Sequence, residues 1–423
     1  MRALLISSSI PPVAESQSIR NVFLLKGLCG AGWDVDVIAP PLGKGDESLL
    51  RQIPDRVTIH RAGPSTYDRI QSWIGRIPSP LVRNTLRGVF ARLAGVLLVP
   101  DVRCGWDRNV IQVAKTIGGE FDLIVSSAGS NTAHLAASAL ARQWGVPWIA
   151  EYGDPWSLNP LAPAKYWHNR ARNSRLERAA LRYCSAITVT TESTAAAMNK
   201  WIGTSCPPIE VIPCGYSTAK PCSTAPAPHN GIVVSYIGTA SRGSRDLRSI
   251  MVALDKAAVT HGGKETVTFR MVGSTSPAFE NKGRELRHLT IQSRGWVSYE
   301  ESLELMGSSD LLLLVGNRQS LQVPAKLFNY IAAERPILYY GQAPPEVDGT
   351  HAILSRLPGV VLLNSAQGSL EDQLEKALSQ SKQLLEASQR RLEPAWIRAY
   401  AWENIAGQFG ALASGLLVRK PAQ

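Results

Sequence analysis

The run DLLLLVG at residues 310–316, followed by VPAKLFNYIAAERPIL at 323–338, decides the fold of this chain. A short apolar run without alternation reads as a strand buried on both faces. Pro324 then opens a segment with apolar residues at helical spacing, and RPILYYG at 335–341 reads as a strand again. A strand, a helix and a strand in this order make a β-α-β unit and a parallel sheet. Lys326 and Asn329 stand at the strand-helix junction among apolar neighbours. Two readings fit them: capping of the helix, or contact with a ligand lying over the carboxyl end of the sheet.

The same alternation extends in both directions. Upstream lie GIVVSYIG, a helix around RDLRSIMVALDKAAVTHG, VTFRMVG, LTIQSRGWV and the helical YEESLELMGSS. Near the start, RALLISS, the helical IRNVFLLKGLCGAG and WDVDVIAP repeat the pattern. It resumes in FDLIVSSA, NTAHLAASALARQWG, VPWIAEYGDPW, RLERAALRYC and SAITVTTES. The Pro-, Ser- and Thr-rich stretch between the two series reads as a connection, with IEVIP its only convincing strand. The expected organisation is α/β, two Rossmann-like doubly wound parallel-sheet domains facing a cleft. Residues 1–202 form the first domain, 203–230 the linker, 231–394 the second domain and 395–423 a C-terminal helix crossing back to the first.

A chain of 423 residues, 44% of them hydrophobic, has the composition of a globular protein with more than one core. The six cysteines form no C-x-x-C pair and no metal-ligand spacing with histidine, which reads as reduced thiols in a cytosolic protein. The N-terminal apolar run is too short for a signal peptide, and no run reaches the roughly 18–20 apolar residues of a membrane-spanning helix. A net charge of +11 permits an anionic partner without choosing one. No nucleic-acid recognition module is recognisable among the basic residues.

VIPCGYS, YIGTASRGSRD, FRMVG, RGWVSYEESLELMGSSDLLLLV and VPAKLFNYIAAERPIL, in this order, resemble the nucleotide-binding half of GT-B glycosyltransferases of retaining family 4. WIAEYGDPWS, RLERAALRYCSAITVTTES and ESQSIRNVFLLKGLCGAGWDVDVIA are similar to the acceptor half of its polysaccharide-assembling members. The resemblance covers most of the chain and is weakest over 48–118. It implies a nucleoside-diphosphate sugar as co-substrate, no cofactor or essential metal, and transfer with retention.

A diphosphate leaving group calls for positive charge and N–H dipoles where negative charge grows. Gly238 supplies a turn after a strand, with Arg242 and Arg245 before the next helix, and guanidinium groups bind phosphate bidentately. The family has a basic residue directly after that glycine; Thr239 stands there, Arg245 matches the second basic position, and Arg242 could substitute for the first. Lys326 is expected to face the phosphates. Asn329 replaces a glutamate that meets the donor ribose, Ala325 replaces a glycine, and Leu321 replaces a second glutamate, leaving Gln319, Ser320 and Gln322 as polar candidates nearby.

In the first half, SSSIPPVAESQSIR lacks the family's glycine pair, and Ser16, Ser18 and Arg20 remain as donors. Ser127 stands by strand register where relatives hold a histidine, with His134 further on in the helix. Asp154 and Trp156 match a family Arg-Asp-Pro-Trp motif in which Gly153 departs from arginine. Ser127, His134 and Asp154 are the expected reaction-side residues. Each has a plainer reading: His134 as a packed residue, Asp154 as a turn before proline, the arginines as solvated helix flanks.

Residues 69–100 contain Arg69, Arg76, Arg83, Arg87 and Arg92 and no acidic residue, with a helix start at Ser79 and Pro80 and Leu81, Leu86, Phe90, Leu93 and Leu97 beyond. Such a helix either packs on the sheet or lies in an anionic membrane interface. The expected function is transfer of a sugar to a lipid-linked or growing glycan acceptor in cell-surface polysaccharide synthesis, at the inner face of the membrane. A glycosyltransferase-like binding subunit and a GT-B sugar-nucleotide epimerase are the alternatives.

Overall fold

The computed structural model describes residues 1–42, 45–160, 166–204, 206–218, 231–240, 245–260, 266–318, 321–364 and 368–418. The chain divides into two units, Met1–Pro213 with Ile405–Gln423, and Cys214–Asn404.

The first unit runs β1 (Arg2–Ser7), α1 (Ser16–Gly30), β2 (Asp34–Ala39), α2 (Glu47–Leu50), β3 (Val57–Arg61), α3 (Thr66–Gly75), α4 (Pro80–Leu97), α5 (Trp106–Ile117), β4 (Leu123–Ser127), α6 (Thr132–Trp144), β5 (Trp148–Tyr152), α7 (Trp167–Leu181), β6 (Ala186–Val189), α8 (Glu192–Ile202) and β7 (Ile209–Val211). Its sheet has the order β3-β2-β1-β4-β5-β6-β7, all parallel. β4 and β5 are buried along their whole length, which is why they read as apolar runs. The register sets Ser7 beside Ser127 and Ser127 beside Glu151, so a polar row crosses the carboxyl ends of β1, β4 and β5. IEVIP supplies β7, the edge strand of this sheet.

The second unit runs β8 (Ile232–Ile237), α9 (Arg248–Thr260), β9 (Val267–Val272), α10 (Pro277–Gly283), β10 (Leu289–Arg294), α11 (Tyr299–Gly307), β11 (Leu311–Val315), α12 (Lys326–Ala332), β12 (Ile337–Tyr340), α13 (Gly349–Leu354), β13 (Val360–Leu363), α14 (Leu370–Ser379), α15 (Ser381–Ser388) and α16 (Ala395–Arg398). Its parallel sheet has the order β10-β9-β8-β11-β12-β13, the doubly wound arrangement. The last helix, α17 (Trp402–Val418), groups from Ile405 with the first unit, where Trp33 Nε1 donates to Ser414 Oγ at 3.4 Å.

α12 answers the question raised by its sequence. Leu327, Phe328, Tyr330 and Ile331 are buried, so Lys326 and Asn329, one turn apart, share the other side. Neither caps the helix: the N-cap position is Ala325, which makes no side-chain bond. Tyr330 fixes the helix to the end of β8, its hydroxyl accepting the Ile237 N–H at 2.9 Å. Arg391, fully buried, donates to the carbonyls of Tyr330, Arg335, Pro358 and Gly359 and so ties the end of α12 to the start of β13.

Candidate functional site

The strand order of the second sheet reverses between β8 and β11, the place where doubly wound sheets bind ligands beyond their carboxyl ends. Gly238 leaves β8 with φ +133°, a conformation that favours glycine, and its N–H donates to Val272 O at 2.8 Å. Lys326 reaches back under this turn. Its Nζ donates to Ile237 O at 3.3 Å and lies 3.8 Å from the centroid of the Tyr236 ring. Arg245 approaches from before α9 and donates through Nη2 to Asn317 Oδ1 at 3.0 Å, and Asn317 Nδ2 in turn donates to Gln322 O. Arg245 Nε is buried and has no partner among the described residues. Tyr236 OH donates to Thr239 O at 2.8 Å.

Neither Lys326 nor Arg245 meets a carboxylate among the described residues, and the neighbouring Asp246 is paired with Arg248. Lys326 keeps a partly exposed stem while its ammonium end sits deep. Burial, and then the nearby Arg245 charge, push its pKa well below the usual lysine range. Burial raises Tyr236 to about 12 against the opposing pull of Arg245. Two basic groups that meet no carboxylate among the described residues are the arrangement that binding of an anion calls for. Arg242, Gln319 and Ser320 lie outside the described residues. Asn329 is half-buried, its Oδ1 accepting from Tyr299 OH at 3.2 Å.

In the first unit the polar row closes into a buried network. Ser127 Oγ donates towards Asn21 Oδ1 (2.6 Å) and Glu151 Oε2 (2.7 Å), and Gln17 Nε2 donates to Ser127 Oγ and to Glu151 Oε2, both at 2.8 Å. Arg20 pairs with Glu151 at 2.7 Å and donates to the carbonyls of Ile212 and Pro213. Arg20 and Glu151 are both buried, Ser18 is buried with its hydroxyl unpartnered among the described residues, and Ser16 is exposed at the start of α1. The glycine at 153 has a local reason: a Cβ there would lie 1.9 Å from Gln17 Oε1.

His134 is wholly buried, its Nδ1 2.7 Å from Ser126 Oγ and its ring 4.4 Å from that of Tyr152. Burial lowers its pKa to about 3, so the imidazole is neutral at ordinary pH. Asp154 is exposed, two residues before the buried Trp156, whose Nε1 donates to Asn173. Glu177, one turn beyond Asn173 on α7, accepts the Ser157 N–H at 2.9 Å, and burial raises its pKa to about 6.

The model of the glycosyl transferase 4-like domain matches residues 23–215. No curated protein sequence matches the chain. Sucrose-phosphate synthase from Thermosynechococcus elongatus superposes with a TM-score of 0.65 at 16% identity, covering 99% of each chain. WaaG, a glycosyltransferase involved in lipopolysaccharide biosynthesis, gives 0.63 at 15% over 98% of this chain and 100% of its own. HepE of Anabaena, in complex with UDP and glucose, gives 0.61 at 14%, again over 98% and 100%. The fold is GT-B, and residues 23–215 are similar to a glycosyl transferase 4-like domain.

The GT-B chain carries one more feature on its first unit. α4 begins at Pro80 with Ser79 at its N-cap, and Ala94 is its only buried residue. Leu81, Val82, Leu86, Val89, Leu93 and Leu97 are exposed, and Arg87 and Arg92 stand exposed on the same helix. Arg83 is partly buried and donates to Ile77 O; Arg76 ends α3, which exposes Trp73. α7 joins this surface through Asn169, which donates to Gly95 O, and adds Trp167, 75% exposed, with Arg170, Arg172 and Arg175.

Reading the sequence missed Gln17, Asn21 and Glu151 in the first unit and Tyr236, Tyr299 and Asn317 in the second. Glu151 alone carried a signal, a carboxylate inside the apolar strand WIAEY. The others hold ordinary polar or aromatic positions whose meaning comes from partners far away in the chain.

Proposed function

We propose that this chain transfers a sugar, with retention and without an essential metal, from a nucleoside-diphosphate sugar to a lipid-linked or growing glycan acceptor in surface polysaccharide synthesis. The observation that carries the reading is the pair Lys326 and Arg245, uncompensated by carboxylates among the described residues, at the switch point of the second sheet. Positive charge there stabilises the diphosphate as it leaves. Lys326, Arg245 and, outside the described residues, Arg242 hold the diphosphate; Asn329 meets the pentose; Asp154 lies on the reaction side. Ser127 and His134 support that side from within, since their polar groups are occupied or enclosed.

A panel of UDP, GDP, ADP, dTDP and their common sugars, read by thermal shift and calorimetry, tests the donor site. One nucleoside diphosphate is expected to stabilise the protein selectively. Arg245→Ala should weaken that binding by about 2 kcal/mol, roughly thirtyfold, as charge-assisted bonds are lost. No response to any nucleotide would overturn the reading. Selective binding without transfer or hydrolysis for any acceptor would favour a binding subunit, the reading that the neutral Asn329 suggests.

The acceptor reading draws on the exposed apolar and basic surface of α4 and α7, which suits an anionic bilayer in which leucines and tryptophans enter the interface and arginines meet headgroups. It places the protein peripherally at the inner face of the membrane. Sedimentation with vesicles containing phosphatidylglycerol is expected to carry the protein down, and neutral phosphatidylcholine vesicles are not. The double variant Arg87→Ser/Arg92→Ser should lose about 2 kcal/mol, roughly thirtyfold, at low salt. Equal binding to both vesicle types would refute the electrostatic part of the proposal.

A further inference from the structure

In the first unit the loop 153–159 carries the exposed Asp154 between two fastenings. Thr190 Oγ1, just past β6, donates to Gly153 O at 3.4 Å, and α7 holds the other side. Trp156 Nε1 donates to Asn173 Oδ1 at 2.9 Å, and the Ser157 N–H donates to Glu177 Oε2 at 2.9 Å. Asn169, Asn173 and Glu177 recur every four residues and form the buried face of α7 with Ala180 and Leu181, a polar row where a packed helix ordinarily carries an apolar stripe. The titratable and charged groups facing Glu177 among the described residues are Tyr152 from β5 and Arg178 from α7, with Cys184 near Tyr152 and His134 of α6 stacked on its ring at 4.4 Å. Arg178 is itself turned to Trp201, its guanidinium 4.7 Å from that ring's centroid and donating to Trp201 O. Glu177 is therefore a carboxyl at 1% exposure held by hydrogen bonds. A buried carboxylate costs more to enclose than the amide or thioether of similar size, so packing alone favours glutamine or methionine here.

We propose that Asn173 and Glu177 are positioning residues, that they set the place of Asp154 by fastening Trp156 and Ser157, and that Glu177 does so as an anion. The reaction-side role of Asp154 rests on the function proposed above; the fastening does not. Bonds to an ionised acceptor are roughly twice as strong as bonds to a neutral one, so a proton on Glu177 loosens the Ser157 end of the loop. Burial places that protonation at about pH 6. The sign separates this from a bond that only stabilises the fold. A carboxyl raised from its ordinary 4.5 binds more protons folded than unfolded, so its contribution to stability is full below 4.5 and is lost as pH rises through about 6. On acidification the Glu177 contribution to global stability grows while the loop loosens.

The test follows the Trp156 indole N–H by heteronuclear NMR on the full chain, its peak assigned by its loss in Trp156→Phe. The peak is expected to move with pH around a midpoint of about 6, and in Glu177→Gln to stay at its wild-type low-pH position. Hydrogen exchange of residues 153–159, corrected for intrinsic rate, should be about fivefold faster at about pH 5 than at about pH 7 in the wild type, and equal at both in the variant. Should Glu177→Gln fail to fold, the wild-type peak and exchange decide alone. A peak that does not move, exchange that does not change, or a titration that persists in Glu177→Gln overturns the inference. With a donor found by the nucleotide panel, kcat should fall on the acid side of about pH 6 while the donor KM holds, and Glu177→Gln should keep the low rate throughout. A titrating indole with a pH-independent kcat overturns the positioning of Asp154 and leaves the donor site standing. Absence of binding by every nucleotide removes the proposed reaction, and with it the role given to Asp154, whatever the indole does.

Discussion

Lys326→Met is expected to melt at a higher temperature than the wild type when no ligand is present, and to lose nearly all of its stabilisation by nucleoside diphosphate. The two effects have one cause. Among the described residues, the groups around the buried Lys326 ammonium are a carbonyl, the Tyr236 ring and the like charge of Arg245. Methionine fills similar volume without a charge to desolvate, which should raise stability by about 1–2 kcal/mol, and by a few degrees in melting temperature. The pH dependence has a definite sign. A lysine whose folded pKa is depressed binds fewer protons folded than unfolded, so wild-type stability rises with pH from the depressed value towards 10.5. The gap between variant and wild type is therefore widest at low pH and closes as pH approaches 10.5. An anion reverses the shift, so nucleotide binding should take up protons and weaken as pH rises. Calorimetry in buffers of different ionisation enthalpy measures that uptake. A variant that is destabilised and binds nucleotide normally would mean that Lys326 is a packing residue.

The contrast between the two sites explains what could be read from the chain. Parallel strands buried on both faces leave apolar runs, and DLLLLVG, GIVVSYIG and FDLIVSS are strands in the structure. The α4 start at Ser79 and Pro80 was equally local and equally legible. Arg245 and Lys326 could be singled out because cations near a glycine turn after a strand are rare enough to stand out. What the proposed anion site also needs, Asn317 to hold Arg245 and Tyr236 under Lys326, is fixed by contacts between residues 70 or more apart in sequence. The first unit shows the limit more sharply. Ser127 and Arg20 were found as polar residues near strand ends, but their partners were not, and a side chain's partners separate a ligand contact from a structural bond. Glu151 lies 131 residues from Arg20 and Pro213 lies 193 away. No periodicity connects them.

That ambiguity makes Arg20→Met the most informative variant of the first unit. Arg20 and Glu151 are both enclosed, at 1% and 0% exposure, and the guanidinium also satisfies the carbonyls of Ile212 and Pro213 where the chain leaves the unit. Removing the cation leaves Glu151 with Gln17 and Ser127 as its remaining donors and strips two carbonyls of theirs. The expected loss is about 3–5 kcal/mol, because an uncompensated buried charge costs far more than the pair contributes. Chemical denaturation should show it as a transition moved to lower denaturant, followed by probes within the first of the two compact units. Glu151→Gln in the same background removes the orphaned charge and should return a substantial part of the loss, a coupling that two independent residues would not show. A ligand-binding arginine behaves otherwise: Arg20→Met would then leave the transition in place and weaken nucleotide or acceptor binding, and Glu151→Gln would restore nothing. The geometry favours the first outcome, since every nitrogen of the Arg20 guanidinium already donates to this chain.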